Sequence, residues 1–196
     1  MPKALVVYYS RKGENHMPGG IQVLEKGNTA YAAEYIRDAV GADLFEIDTV
    51  TPYADNYREC CMQAVQEVKA NARPPIKGYV EDISGYDTIF ICYPNWCGTA
   101  PMCVFTFLEH YDLTGKRIVP LCTNEGSGMA NSEKDIARSC PGAEVVAGLS
   151  VRGHKAKDSA EEIGTWAKAH NCKPSNLRMW WNWEAMRALP VADEVS

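Results

Sequence analysis

The sequence lacks the features that mark a membrane, secreted or nucleic-acid-binding protein. No apolar run approaches the roughly 20 residues that a membrane span needs, and residues 1–9 carry one lysine but no signal-peptide pattern. The formal net charge is −5, whereas a nucleic-acid-binding domain normally shows a basic face. We therefore expect a cytoplasmic protein that binds neither a membrane nor nucleic acid.

The eight cysteines include no Cys-x-x-Cys pair, and no histidine stands at ligand spacing from any of them. Disulfides or a metal are the alternatives that such a cysteine count raises. Cys92 and Cys122 end apolar runs, and Cys61 lies on the apolar side of a predicted helix. Because a free cysteine behaves as a small hydrophobe, we expect reduced, buried thiols and no metal site.

What is present fits one ordinary globular domain. The 196 residues are 46% hydrophobic and 23% charged, which is enough for a sizeable core. Short apolar runs predict strands over residues 4–9, 43–50, 88–93, 118–122 and 145–151. Four of these runs show no alternation and predict strands covered on both faces, whereas the mixed run 43–50 suits a sheet edge.

Amphipathic stretches between these runs predict helices over residues 29–40, 55–70, 101–110, 132–138 and 158–170. Pro101 stands at an early helical position. Ser132 and Asp158 each precede an acidic residue by three positions, which predicts capping boxes. The apolar side of the second helix is predicted to hold Tyr57, Cys61, Ala64, Val65 and Val68.

Strands that alternate with helices predict right-handed crossovers and a parallel sheet. Five strands permit the order 2-1-3-4-5 with helices on both faces, an α/β three-layer sandwich. In such sheets ligands bind beyond the carboxyl ends of the strands, where the winding reverses. We therefore expect chemistry in the loops after strands 1, 3 and 4.

The first of these loops suits a phosphate. It ends at a helix N-terminus, whose unpaired N–H groups and dipole favour an anion. Ser10, Asn28 and Thr29 add donors, and Arg11 adds charge. The alternative is that Asn28 only caps the helix and Ser10 only ends a strand.

The other two loops suit a planar ring. In the second loop, Trp96 offers a stacking surface and Gly98 lets backbone amides approach; alternatively, Trp96 packs under the loop. The third loop, residues 123–128, has two glycines and small polar side chains that can bind a polar ring edge. Alternatively, it is an ordinary surface loop, since such loops have a similar composition. Together the three loops meet the needs of a phosphorylated planar heterocycle.

Three blocks, VVYYSRKGEN with KGNTA, YDTIFICYPNWCGTAPM and CTNEGSGMANSEKDI, resemble the flavodoxin-like family, in the branch with a long insertion in the phosphate loop. The resemblance covers residues 3 to about 170. It implies FMN as cofactor. It also implies one FMN-binding domain over residues 1–170, with the insertion at 11–27 and a tryptophan-rich tail at 171–196.

The resemblance carries over a set of cofactor-binding residues. The phosphate would be held by Ser10, Arg11, Asn28, Thr29 and Ala30. The isoalloxazine ring would lie against Pro94, Asn95, Trp96, Cys97 and Gly98. Its other edge would be lined by Thr123, Asn124, Glu125, Gly126, Ser127 and Gly128.

The sequence departs from the family where a second aromatic is usual. Cys97 follows Trp96, and the third loop has no aromatic residue, so one flavin face is expected to be open unless the tail covers it. An open face suits an FMN-dependent oxidoreductase that passes electrons from NAD(P)H to a quinone or similar small acceptor. The alternatives are a flavodoxin-type electron carrier between protein partners and a cofactor-free interaction module.

The flavin itself is the expected catalytic group, with two side chains as secondary candidates. Glu125 is a proton donor or a charge that tunes the flavin potential; alternatively, it is solvated or caps the next helix. Cys97 is a reactive thiol or only a packing residue. The tail packs on the domain, covers the flavin or forms a homodimer interface.

Overall fold

The computed structural model describes residues 3–172. The strands are β1 (Ala4–Tyr8), β2 (Gly13–Met17), β3 (Gly20–Leu24), β4 (Asp43–Glu46), β5 (Thr88–Pro94), β6 (Arg117–Asn124), β7 (Glu144–Val145) and β8 (Leu149–Arg152). The helices are α1 (Asn28–Val40), α2 (Tyr57–Ala70), α3 (Met102–Leu108), α4 (Ser132–Ser139) and α5 (Ala160–His170), and a 3₁₀ helix (Gly153–Asp158) precedes α5.

The central sheet is parallel and has the order β4-β1-β5-β6-β7, with β8 also paired to β6. This confirms the predicted order 2-1-3-4-5, in which β7 and β8 together are the fifth strand. Strand β4, which corresponds to the predicted run at residues 43–50, lies at the edge of the sheet, as its mixed pattern predicts. The carboxyl ends of β1, β5 and β6 therefore meet at one edge of the sheet.

The fifth strand was predicted as one run over residues 145–151, and this is wrong, because the structure divides it. Ile118 of β6 pairs with Val145 of β7, and Leu121 of β6 pairs with Leu149 of β8. Between these two pairs β6 advances three residues, whereas the chain of β7 and β8 advances four. The extra residue forms a bulge. Pro120 lies inside this interval of β6 and has no N–H to donate, so the ladder has one donor fewer at the break.

Each face of the sheet carries its own core. Successive residues of β1 point to opposite faces, so Leu5 and Val7 join one buried cluster while Val6 joins the other. One cluster includes residues of α3 and α4, and the other includes residues of α1 and α5. A strand that supplies both cores has no polar face, which explains the continuous apolar run at residues 4–9.

Helix α2 is buried along a narrower strip than predicted. Its buried residues are Cys60 and Ala64, one helical turn apart, whereas Val65 is 39% exposed and Val68 is 36% exposed. Cys61, predicted to be buried, is half-buried. The wide apolar stripe in the sequence therefore exceeds the surface that the sheet and α3 cover.

Both predicted capping boxes are wrong. The Ser132 hydroxyl donates to the Met129 carbonyl at 2.6 Å and lies 2.9 Å from the donating Tyr93 hydroxyl, so core hydrogen bonds occupy it. Asp158 ends the 3₁₀ helix instead of starting α5. A side-chain cap does form at Asn56, whose Oδ1 accepts from the backbone N–H groups at the start of α2.

The insertion at residues 11–27 contains an antiparallel hairpin of β2 and β3, an element that the sequence analysis did not predict. One Glu14 carboxylate oxygen accepts from the Tyr57 backbone N–H at 2.7 Å and lies 3.3 Å from Asn56 Nδ2. The hairpin is thus anchored on the N-terminus of α2, where a negative charge is favourable. This contact brings the insertion to the edge of the sheet where the carboxyl ends of β1, β5 and β6 meet.

Among residues 3–172, every cysteine is a free thiol, and five are buried, as expected: Cys60, Cys92, Cys103, Cys122 and Cys140. None of the helices in this part of the chain is long and apolar enough to cross a membrane. The tail from residue 173 onward lies outside the described residues, so its packing, lid and dimer hypotheses stay predictions. The Thr88 hydroxyl donates to the Cys172 carbonyl at 2.8 Å, which places the start of the tail near the amino end of β5.

Candidate functional site

A cavity of about 390 Å³ lies at the carboxyl edge of the sheet, beyond β1, β5 and β6. Its lining residues are Arg11, Asn15, His16, Asn28, Thr29, Tyr57, Pro94, Asn95, Trp96, Thr123, Asn124, Glu125, Gly126, Ser127 and Gly153. All three predicted loops contribute to this wall. The predicted residues that do not line it are Ser10, Ala30, Cys97, Gly98 and Gly128.

Ser10 and Ala30 shape one end of the cavity from behind its wall. The Ser10 hydroxyl accepts from the Ala30 backbone N–H at 3.0 Å, so it caps α1 from outside the helix. Gly27 is the N-cap residue of α1. There is no room for a methyl group at this position, because a Cβ would lie 2.2 Å from Ser10 Oγ and 2.4 Å from the Arg11 carbonyl oxygen. The helix N-terminus is thus held against the end of β1, and Asn28 is the first helical residue instead of the cap.

Arg11 places a fixed positive charge in the same wall. Its Nε donates to the Glu14 carbonyl at 2.9 Å and its Nη2 to the Asp55 carbonyl at 2.7 Å. The residue is 8% exposed, and no carboxylate of residues 3–172 forms a salt bridge with it. Neutral carbonyls orient this cation without neutralising it, so an anion in the cavity would be favoured.

The second loop contains a tight turn at residues 96–99. The backbone N–H groups of Trp96 and Thr99 donate to each other's carbonyl groups at 2.9 and 3.1 Å. Both central residues have positive φ, 54° at Cys97 and 82° at Gly98, as in a type I′ turn. The Gly98 N–H donates to Asn95 Oδ1 at 3.0 Å, so this amide is not free to approach a ring as predicted.

Trp96 lines the cavity and also packs into the fold. Its ring meets Tyr53 and Tyr9 edge-on, with centroid separations of 4.9 and 5.3 Å and interplanar angles of 85° and 80°. These edge-to-face contacts fix the orientation of the indole. The packing and platform interpretations are therefore compatible, since the two tyrosines hold a ring that also borders the cavity.

The third loop is organised by one amide side chain. Asn124 Oδ1 accepts from the backbone N–H groups of Gly126 and Gly128 at 2.9 and 3.0 Å, and its Nδ2 donates to Ser150 Oγ at 2.9 Å. The Gly128 carbonyl in turn accepts from Asn95 Nδ2 at 2.9 Å. Gly128 thus joins the second and third loops instead of lining the cavity.

A fourth segment of the cavity wall, not predicted from the sequence, is the start of the 3₁₀ helix that follows β8. Glu125 accepts from the His154 backbone N–H at 2.8 Å, and its other oxygen lies 2.6 Å from His154 Nδ1. Glu125 therefore does not cap the next helix. Gly153 lies between the first and third loops, because a Cβ there would be 2.7 Å from Glu125 Oε1 and 2.8 Å from Asn28 Nδ2. Its position two residues beyond the predicted strand at residues 145–151 was the signal that could have identified it.

The hairpin side of the cavity supplies Asn15, His16 and Tyr57, which were also missed. The His16 and Tyr57 rings lie 6.2 Å apart at an angle of 36°. Burial and a hydrogen bond to Cys61 raise the pKa of Tyr57 to about 12, so its hydroxyl is neutral near pH 7. Only the docking of the hairpin on α2 brings these rings to the cavity, and no local sequence pattern encodes that contact.

The family model described as Flavodoxin matches residues 23–169, about three quarters of the chain. This chain belongs to the flavodoxin family. The predicted resemblance and fold are thereby confirmed, while the division at residue 170 and the binding role of each residue stay predictions. No curated protein shows significant similarity to the chain.

Solved structures described as flavoproteins resemble this one over most of its length. A protein from Bacteroides eggerthii DSM 20697, assigned as a flavoprotein, is 31% identical with a TM-score of 0.68, covering 88% of this chain and 100% of its own. A second from Bacteroides uniformis ATCC 8492, also assigned as a flavoprotein, is 27% identical with a TM-score of 0.69, covering 85% and 98%. A Lactobacillus acidophilus NCFM flavoprotein in complex with FMN shares the fold at 20% identity and a TM-score of 0.63, covering 81% and 98%.

Proposed function

We propose that this flavodoxin-family protein binds FMN non-covalently and acts as an FMN-dependent oxidoreductase, passing electrons from NAD(P)H to a quinone or similar small acceptor. The observation that carries the cofactor assignment is Arg11, a nearly buried cation that only neutral carbonyls orient and that borders a cavity beside the first turn of α1. A phosphate supplies the missing negative charge. Family membership supports the same cofactor, as does the FMN complex of the relative from Lactobacillus acidophilus.

The cavity also fits the rest of FMN in size and chemistry. Its volume of about 390 Å³ falls in the range of small-ligand sites. Asn28 and Thr29, in the first turn of α1, would bind the phosphate with Arg11, while Ser10 and Ala30 act indirectly by fixing that turn. Trp96 and the loop at residues 123–128 would border the ring. Bound FMN supplies the electron-transfer chemistry, and the chain supplies its orientation and electrostatics.

The preference for an oxidoreductase rests on the third loop. Residues 123–128 bring glycines and small polar side chains to the cavity but no aromatic ring. A flavin bordered in this way on one side leaves room for a nicotinamide or a quinone to stack. Hydride transfer needs this face-to-face approach.

One observation favours the alternative of an electron carrier between protein partners. The His16 and Tyr57 rings line the hairpin side of the cavity and offer an aromatic border in addition to Trp96. A carrier shields the faces of its flavin and exposes only an edge. If these rings cover the face that a nicotinamide would use, direct hydride transfer is blocked.

Anaerobic reduction of the FMN-loaded protein distinguishes these functions. The oxidoreductase predicts rapid two-electron bleaching of the flavin absorbance on mixing with NADPH or NADH. The carrier predicts no rapid reaction with either, and a persistent one-electron reduced form during dithionite titration. A protein that retains no yellow chromophore after purification with excess FMN would overturn both.

The phosphate end has its own test in the double variant Ser10→Ala with Thr29→Ala. It removes the outside cap of α1 and a hydroxyl of the cavity wall, so we expect at least a tenfold weaker FMN affinity by fluorescence quenching, which corresponds to about 1.4 kcal/mol. Thr51→Ala, at an exposed threonine away from this wall, is the matched control and should bind FMN normally. Unchanged affinity in the double variant would contradict the placement of the phosphate.

A further inference from the structure

A second, smaller cavity of about 110 Å³ adjoins the proposed cofactor cavity. The two cavities share five lining residues, Arg11, Asn15, Tyr57, Asn95 and Trp96. The remaining lining residues of the small cavity are Cys60, Cys61, Ala64 and Cys97. Three thiols from two distant parts of the sequence therefore border one small space, separated from the proposed flavin site by the thickness of single side chains.

Two of these thiols are accessible. Cys97 is exposed and Cys61 is half-buried, whereas Cys60 is 3% exposed. Cys61 and Cys97 both line the same small cavity, and the nearby Cys61 adds to the burial that raises the pKa of Cys97. Thiols that are neighbours, accessible and reduced are the starting state for forming a disulfide.

The backbone at Cys97 adds an independent observation. Its φ of 54° places a residue with a side chain in the left-handed region, where glycine or asparagine is the usual occupant of a type I′ turn. Such a residue is strained relative to glycine, and strained positions of this kind concentrate at functional sites. The turn directs a thiol into the small cavity at a position where a glycine would satisfy the backbone better.

We propose that Cys61 and Cys97 form a dithiol–disulfide centre that exchanges two electrons with FMN. On oxidation of the pair, two S–H bonds break and one S–S bond forms. The two electrons and two protons pass to oxidised FMN, which becomes the two-electron reduced flavin; the reverse reaction opens the disulfide. The flavin half of this proposal rests on the proposed function, whereas the pairing of the cysteines does not.

The thiol environment sets the pH dependence of the exchange. The thiolate is the attacking species, and the charged and titratable groups bordering the small cavity are Arg11, Tyr57 and Cys60 besides the pair itself. Because the pKa of Cys97 is raised, the thiolate is scarce at neutral pH. The rate of disulfide formation is therefore expected to increase with pH through and above neutrality.

Peptide mapping tests the pair without any cofactor. The full-length protein is treated with diamide, digested without reduction and analysed by mass spectrometry. We expect a linked peptide pair that contains Cys61 and Cys97, absent from both Cys61→Ser and Cys97→Ser. Exposed Cys172 should remain unlinked and serves as the control thiol. No link, or a link that uses Cys60 in place of Cys61, would overturn the assignment.

Electron counting tests the exchange with the flavin. The diamide-treated protein is freed of oxidant, loaded with FMN and titrated anaerobically with dithionite. Two electrons for the flavin and two for the disulfide predict an end point of four electrons per FMN and the return of two titratable thiols. Cys61→Ser and Cys97→Ser should each need only two electrons, and Cys172→Ser should still need four.

An end point of two electrons in the wild-type protein, with the disulfide intact afterwards, would overturn the exchange. If the protein binds no FMN, the proposed function fails and the exchange fails with it, while the peptide map still decides whether the cysteines pair. The two failures are therefore distinguishable.

Discussion

The two ends of the proposed cofactor cavity are built by different means. The proposed phosphate end, formed by Ser10, Arg11, Gly27 and the first turn of α1, depends on backbone segments that approach too closely for any side chain at Gly27. The ring end, formed by the turn at residues 96–99 and the loop at residues 123–128, depends on side-chain amides that bond to loop backbone. One end is fixed by shape and the other by hydrogen bonds.

This difference predicts how each end responds to change. Close backbone packing leaves no space for additional atoms, since a single added methyl group meets atoms that cannot move aside. A hydrogen-bonded loop on the surface can lose one contact and adjust, because water replaces part of what is lost. The phosphate end should therefore be the sensitive part of the site and the ring end the adaptable one.

The largest expected effect is at Gly27. Gly27→Ala places a Cβ where Ser10 Oγ and the Arg11 carbonyl lie 2.2 and 2.4 Å away, so the end of β1 must shift. We expect a loss of about 1–3 kcal/mol in the free energy of unfolding and a large loss of FMN affinity, measured by urea denaturation and fluorescence quenching. Gly85→Ala, at a glycine with open space and no positive φ, is the control and should change stability by less than about 0.5 kcal/mol. Equal effects of the two variants would refute the close-packing argument.

A smaller effect, the coupling free energy of a hydrogen-bonded pair, is expected where the two ends meet. The hydroxyl oxygens of Thr29 and Thr123 lie 2.7 Å apart and are buried, and this hydrogen bond joins α1 to the start of the third loop. Either Thr29→Val or Thr123→Val leaves a buried hydroxyl unpaired, which costs about 1–3 kcal/mol. The double variant removes both hydroxyls, so its loss should be smaller than the sum of the single losses.

Urea denaturation of the four proteins gives the coupling free energy of this pair. A coupling of about 0.5 kcal/mol or more in that direction supports the hydrogen bond as a link between the ends. Strict additivity would mean that the two hydroxyls do not depend on each other, and the two ends would then be energetically separate.

The same contrast explains what the sequence could predict. The sheet order and the edge that carries the cavity follow from apolar runs such as residues 4–9 and 88–93. A strand that is covered on both faces needs apolar residues at successive positions, and this pattern is visible in the local sequence. The local sequence also shows where those strands end, and we therefore expect Trp96 and Thr123, which lie at strand ends, at the cavity. Their role in binding stays a prediction.

What the sequence could not supply depends on long-range contacts. Tyr57 and His16 reach the cavity only because Glu14 anchors the hairpin on α2, and nothing in the insertion itself specifies that contact. The Ser132 capping box was wrong because Tyr93 and Met129 take up its hydroxyl in the core. Gly153 is different, since the rule that ligands bind beyond strand ends already applied to the strand before it.

The smallest expected effect has the opposite sign and lies at the ring end. Cys97 is exposed with a φ of 54°, so Cys97→Gly relieves a left-handed strain and removes little buried surface. The relieved strain, about 1–2 kcal/mol, exceeds the loss of about 0.4–1 kcal/mol from the greater unfolded-state entropy of glycine. We therefore expect a net gain of up to about 1 kcal/mol in the free energy of unfolding of the reduced protein, measured by urea denaturation. Cys97→Ser keeps the strained backbone and should leave stability nearly unchanged. A loss of stability in Cys97→Gly would mean that the thiol contributes packing that the exposed position does not suggest, and the ring end would then be as intolerant of change as the phosphate end.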